Sequence, residues 1–456
     1  MKTTDILIIG GGPAGIISAT TAKSNYPNKK VTLVRENIDV LVPCAIPYTF
    51  GTLLPNTEKD LVPSGALQKS GVEVIIDTIV KIDIEKREAL TEDGVIQFQK
   101  LIFATGSKPN TPNIIGANAK GVFTVPKDRT KIDNLKAHLD IVKSENVVVI
   151  GTGFIGVEIA GELVKTGKKV SLVGNSKRVL KGAFDDEFSE KIEDELKNLG
   201  VLILNSTKVK EILTSENGET TGVKFKNGEI LEAGTVILAI GYSPNSELAK
   251  NSGIRVGIKG GIWVDEYMRT DFDGVFAVGD CVEKKSFLTR NLSKVMLAST
   301  ATAEARIAGS SLYNLKYIKG FNGTISTFST VMGELSFSSV GIIEQEANLE
   351  KFDYLVGEFE GVDKHPATLP NTHKQRVKII AMRRTGTIIG GQVMGGIGSG
   401  ELINLIALMV ENKMSVYSIV NLQVATHPLL TASPTTYPII KSAEEIVKKI
   451  DNCFIS

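Results

Sequence analysis

Two glycine fingerprints, each set between a buried strand and a helix, constrain this chain more than anything else in it. The first lies in Asp5–Gly15, DILIIGGGPAG, where Gly10, Gly12 and Gly15 give GxGxxG around Pro13. Ile6–Ile9 reads as a short strand buried on both faces, and the residues after the motif as a helix to about Lys23. The first glycine of such a motif permits the tight turn, the second lets backbone approach a pyrophosphate, and the third lets helix pack on strand. The helix start offers unpaired N–H groups and the positive end of its dipole to phosphate. Asn146–Glu158, NVVVIGTGFIGVE, repeats the theme with Gly151, Gly153 and Gly156 enclosing Phe154 and Ile155. Two complete copies predict two bound dinucleotides.

The acid that would bind a ribose hydroxyl is displaced in the first unit and missing in the second. After the strand Lys30–Val34, Arg35 takes the usual place and Glu36 follows; Glu36 is assigned to the ribose, a solvated carboxylate being the competing reading. Gly174 ends the strand Lys169–Val173, so nothing there would repel a 2′-phosphate. Lys177 and Arg178 are near enough to bind one, and equally read as solvated charges. NADH or NADPH stays open.

Each unit returns by a strand ending in a glycine turn. Lys100–Pro109, KLIFATGSKP, stops at Thr105-Gly106, and Thr235–Pro244, TVILAIGYSP, echoes it with Gly241. Gly274–Cys281 reads GVFAVGDC, placing Asp280 to reach a ribityl or ribose hydroxyl. The helix after it, about Lys294–Gly309, is rich in small residues such as Ala298, which suits close approach to a flat cofactor or tight packing on a sheet. From about Phe321 strand-like segments recur before two helices, an α+β pattern and hence a separate domain.

Cys44 stands in LVPCAIPY between Pro43 and Pro47. The prolines fix φ and remove donors, so the thiol is expected on a stiff turn that could hold sulfur against a cofactor ring. A buried small hydrophobe is the alternative. The other cysteines, Cys281 and Cys453, have no motif around them and read as structural. Three cysteines without CxxC spacing and four scattered histidines predict neither a disulfide framework nor a metal site. A net charge of +1 gives no argument for nucleic acid. No apolar run reaches membrane length and no signal peptide is seen, so a cytoplasmic setting is expected.

Taken together, the two fingerprints, the cysteine turn, Thr105-Gly106, Glu158 after the second fingerprint, AIGYSPN at Ala239–Asn245, FAVGD at Phe276–Asp280 and His427-Pro428 resemble the FAD-dependent pyridine nucleotide-disulfide oxidoreductases along nearly the whole chain. The residue five after Cys44 is Thr49, so the paired-cysteine pattern is lacking and the single-cysteine branch is implied. That branch holds coenzyme A disulfide reductases, NADH oxidases and peroxidases, and persulfide or polysulfide reductases. The resemblance implies an α/β fold with two Rossmann-like domains and a C-terminal α+β dimerisation domain. An FAD domain is expected over residues 1–112 and 245–320, an NAD(P) domain over 113–244 and the last domain over 321–456. FAD would lie on the first fingerprint, Thr105-Gly106 and Asp280. NADH or NADPH would lie on the second, with Phe154 covering the flavin and Glu158 near the nicotinamide. A homodimer would close each active site, where His427 could act as base and Tyr437 could bond a thiolate leaving group; a loop histidine of structural role is the other reading of His427.

An activated Cys44 must be a thiolate, so its pKa is expected to be lowered. Peroxidases and many oxidases of the branch carry a histidine in the first fingerprint where Pro13 stands here. That leans toward reduction of coenzyme A disulfide, persulfide or polysulfide, with coenzyme A as a possible further ligand. An NADH oxidase acting on oxygen, and an electron donor to a protein such as rubredoxin, are the competing functions.

Overall fold

The computed structural model describes residues 1–53, 57–63, 65–142, 144–316 and 320–455. Its first sheet has parallel strands Glu73–Ile76, Val31–Arg35, Lys2–Ile9 and Val95–Phe103 in that spatial order. Val95–Phe103 is long enough to serve two further partners. Its first half pairs antiparallel with Glu88–Thr91, and Leu101–Phe103 pair in parallel with Val275–Ala277. A strand from far along the chain thus completes this sheet. The C-terminal halves of the two central strands are apolar because both faces are covered there: Ile6, Leu7 and Ile8 are fully buried, as are Leu101, Ile102 and Phe103.

The second sheet repeats the plan with Leu202–Leu204, Lys169–Val173, Asn146–Ile150, Thr235–Leu238 and Val122–Thr124, all parallel. The two passages between the sheets pair with each other, Ser107–Pro109 running antiparallel to Tyr242–Pro244. The glycine turns are built alike. Gly10 and Gly151 take φ of +117° and +120°, a region that favours glycine. An added Cβ on Gly15 would overlap the Gly10 carbonyl oxygen, and one on Gly156 the Gly151 carbonyl oxygen. The third glycine of each motif is therefore demanded by helix–strand contact.

The C-terminal sheet is antiparallel, in the order Phe328–Met332, Leu335–Gly341, Ile388–Gly396, Lys374–Met382, Tyr354–Val362. The helices Leu402–Glu411 and Pro438–Ile455 pack on it. One buried charge ties this sheet to the second nucleotide unit. Lys378 donates to Asp185 at 2.9 Å and pairs with Glu187 and Glu344, while Gln392 donates to Asp185 at 2.5 Å. Burial works against the ammonium, but three carboxylates hold its pKa above the ordinary lysine value. Cys281 is fully buried with its thiol toward the Val278 carbonyl, as its structural reading expects. The side chain of Cys453 falls outside the described residues. Among the described residues no helix is long and apolar enough to cross a membrane.

Candidate active site

Cys44 sits on a short 3-10 helix, Pro43–Phe50. The expected turn has closed into this tighter helix because Pro43 opens it where no donor is needed, and Pro47 inside it removes another. Ile46, Pro47, Thr49 and Phe50 are buried while Cys44 is exposed. The helix is thus anchored by its apolar side and shows its sulfur.

Three elements fix it. The Thr52 N–H donates at 2.6 Å to the Glu162 carboxylate, which belongs to the second glycine helix, Phe154–Val164. Lys136, on the helix Arg129–Ile141, donates to the Thr49 carbonyl. On the other side the Val42 N–H donates to the Asp60 carbonyl at 2.8 Å. The cysteine helix of the first unit is therefore docked on the helix that opens at the second fingerprint.

The charges around Cys44 do not lower its pKa as expected from sequence. Protein around the base of the exposed residue displaces water and pushes the thiol up. Glu158 pushes the same way, Lys127 pulls it down, and Asp280 and Asp60 add to the rise. Lys127 was not singled out in the sequence, where it lies in VPKDR without a motif. Its ammonium donates to Asp280 at 2.7 Å and to Ser107 at 3.0 Å and lies 5.4 Å from the Tyr242 ring centre. Asp280 also accepts from Ser107 at 2.9 Å. Burial would raise the Asp280 carboxyl, yet Lys127 and Ser107 hold it below the ordinary carboxylate range.

Phe154 and Glu158 lie one turn apart on the second glycine helix and meet alternate residues of one C-terminal strand. Phe154 stacks on Phe328 with centroids 5.0 Å apart and planes at 13°. Thr330 donates to Glu158 at 2.9 Å. Helix spacing of four against strand spacing of two makes this match. Burial lifts the Glu158 pKa to about 7, Thr330 opposes the rise, and Glu162 adds to it.

The fingerprints leave room for ligands at the expected positions. Gly12 and Gly153 are the N-caps of their helices, with no side-chain cap, and a Cβ on either would meet nothing within 4 Å. Open space before uncapped helix N–H groups fits a pyrophosphate. Pro13 is the first residue of its helix and Ile155 packs beside Phe154 against the core. Thr105 donates to the Asn245 carbonyl at 2.5 Å, and the Asn245 N–H donates to the Gly106 carbonyl at 2.9 Å. Gly106 and Gly241 both take positive φ at this crossing, +69° and +92°. Glu36 is exposed; Arg35 packs against Gly11 and donates to the Ile38 carbonyl at 2.9 Å. Ala298 is the first residue of the helix Ala298–Ser310, later than the start expected from sequence.

His427 and Tyr437 are not brought to Cys44 within one chain. His427 is exposed and bonded within its own loop, accepting from the Leu429 N–H at 3.3 Å. The Tyr437 ring is buried in the C-terminal core.

Comparison with known proteins decides what such a site belongs to. Residues 4–305 match the family described as pyridine nucleotide-disulphide oxidoreductase, and residues 327–437 its dimerisation domain. The chain belongs to the pyridine nucleotide-disulphide oxidoreductases. This family is FAD- and NAD(P)H-dependent. The chain is 32% identical over 400 residues to an NAD(P)H coenzyme A polysulfide/persulfide reductase of Pyrococcus horikoshii, covering 86% of this chain and 87% of the relative. It is 28% identical to an NADH oxidase of Methanocaldococcus jannaschii, covering 98% and 99%. Among solved structures it resembles an NAD-dependent persulfide reductase from A. fulgidus, at 27% identity and a TM-score of 0.89, covering 98% of this chain and 84% of that one.

Proposed function

We propose that this oxidoreductase uses FAD and NAD(P)H to reduce a small disulfide or sulfane-sulfur substrate, such as coenzyme A disulfide, persulfide or polysulfide, at Cys44. The observation that carries the reading is the placement of Cys44: an exposed sulfur on a short helix of the first unit, docked on the helix that opens at the second glycine fingerprint. The FAD-binding unit comprises residues 1–112 and 245–320, the NAD(P)-binding unit 113–244, and the dimerising unit 321–456.

A bound FAD supplies the two-electron relay between a nicotinamide and the sulfur. The residues around it have separable tasks. Gly10, Gly12, Pro13 and Gly15 would hold its pyrophosphate, and Glu36, Thr105, Gly106, Asp280 and Ala298 would hold the rest. Gly151, Gly153, Phe154, Ile155, Gly156, Glu158 and Gly241 would line the nicotinamide nucleotide site. Cys44 as thiolate attacks one sulfur of the substrate and expels the other as a thiolate. Lys127 favours the anionic form of Cys44 and holds Asp280 in place. Glu158, with a pKa of about 7, can keep or release a proton at neutral pH. In a homodimer the exposed His427 would reach the sulfur of the partner subunit, and Tyr437, whose ring is buried in the C-terminal core, would do so only with its hydroxyl.

The likeness to an NADH oxidase across 98% of the chain favours a second reading, oxygen reduction at the same site. Anaerobic titration with NADH and NADPH, followed by mass spectrometry of intact Cys44, separates the two. Uptake of two hydride equivalents per FAD, with coenzyme A or extra sulfur released from Cys44, supports the thiol-substrate reading. Uptake of one equivalent, with Cys44 a free thiol throughout, overturns it. Cys44→Ser should abolish disulfide or polysulfide turnover while leaving oxygen-dependent NADH oxidation measurable.

A further inference from the structure

The strand after the second fingerprint ends at a position that refuses a carboxylate. Gly174 is buried, and a Cβ built on it would stand 3.0 Å from the Thr152 Cβ and nearer still to the Thr152 methyl and hydroxyl. Thr152 is the residue between Gly151 and Gly153, and its carbonyl accepts from the Leu180 N–H at 2.9 Å. Moving it aside would disturb the glycine turn itself. The acid that would bind both ribose hydroxyls of NADH has no space here.

Among the described residues, the charges at this strand end that lack a bonded partner are basic, while the buried carboxylate of Glu193, which accepts from the Val179 N–H and from Asn205, is paired with Arg178. The Thr207 N–H donates to the Gly174 carbonyl at 2.9 Å and the Ser206 N–H to the Ser176 carbonyl at 2.9 Å, so two passages of chain run side by side. They carry Lys177 and Lys208, both exposed and neither with a bonded side-chain partner among the described residues. No Asp or Glu occurs between residues 174 and 184 or between 202 and 210. Arg178, the other candidate from sequence, is engaged elsewhere. It pairs with Glu193 at 3.1 Å and with Glu190, and the Glu193 side chain is only 3% exposed. Drawing Arg178 away would leave that carboxylate buried without its cation.

We infer that Lys177 and Lys208 recognise a 2′-phosphate, so that the second nucleotide site prefers NADPH to NADH. This rests on the reading of the second fingerprint as a pyridine nucleotide site. Two exposed ammonium groups, one on each passage, would meet a phosphate at a strand end where a competing carboxylate is sterically barred.

Calorimetric titration of the FAD-loaded protein with 2′,5′-ADP and with 5′-ADP tests it without turnover. The expected result is binding of 2′,5′-ADP about tenfold tighter than 5′-ADP, in line with two exposed ion pairs. Lys177→Gln with Lys208→Gln should bring that ratio close to one, and the NADPH-to-NADH ratio of KM values should move with it. Equal affinities in the unaltered protein, or a preference that survives the double substitution, would overturn the inference. Failure of both nucleotides to bind would instead remove the nucleotide site on which it rests.

Discussion

Burial of its base, and after it the carboxylates nearby, oppose the ionisation of Cys44. Glu158, Asp280 and Asp60 all push the thiol up, and Lys127 acts against them. The sign of each contribution can be read from alkylation of Cys44 against pH. Lys127→Gln should move the midpoint to higher pH, and Glu158→Gln should move it lower; movement of both in one direction would refute this balance. Glu158 also links stability to pH. Its pKa rises from 4.5 to about 7 on folding because burial disfavours the anion. A raised acid pKa gives stability that is complete below the unfolded value and is lost as pH rises through the folded one. The protein should therefore lose up to about 3 kcal/mol between those two values from this group. Urea unfolding across that range should show a flatter profile for Glu158→Gln, and parallel profiles would rule the linkage out.

At the scale of elements, glycines of one motif do different work. Gly12 faces open space, whereas an added Cβ on Gly15 would run into the Gly10 carbonyl. Gly12→Ala should purify with little flavin absorbance, yet keep the Tm of the unaltered protein when both are compared with FAD removed. Gly15→Ala should lower stability by roughly 1–3 kcal/mol or more through overpacking. Finding the same Tm for both variants would contradict that division. The motif was legible in sequence because strand, glycines and helix are contiguous. The cysteine helix was only half legible. Pro43 and Pro47 announced stiffness, but its docking depends on Glu162 and Lys136, which arrive from elements far along the chain.

At the scale of the molecule, the C-terminal sheet is locked to the second nucleotide unit by Lys378 among Asp185, Glu187 and Glu344. Lys378→Met would strand Asp185, whose side chain is 4% exposed, beside two further carboxylates. The expected cost is about 3–5 kcal/mol, read as a lower urea midpoint. The same junction places Phe328 on Phe154 and Thr330 on Glu158. Loosening it should therefore also raise the KM for the nicotinamide nucleotide, and a Lys378→Met protein of unchanged stability would show that the cluster is not a lock.

The α/β class and the two glycine turns were legible in the sequence alone, because each turn is written in residues that are neighbours along the chain, whereas the first sheet is completed by Val275–Ala277 from far along it. Gly10 through Gly15 and Gly151 through Gly156 each spell a turn within six residues, although Gly10 and Gly151 also abut the carbonyls of Ala104 and Ala239 on the returning strands. The tertiary structure decided what no local pattern encodes. It brought Lys127 to Asp280, committed Arg178 to Glu193, closed the Gly174 position with Thr152 and kept His427 away from Cys44 within one chain. Each of these depends on a distance between residues that the chain itself leaves far apart, or on a side chain already taken by another partner. A charge, a space and a bond are each shared among residues, and only the packed molecule says with whom.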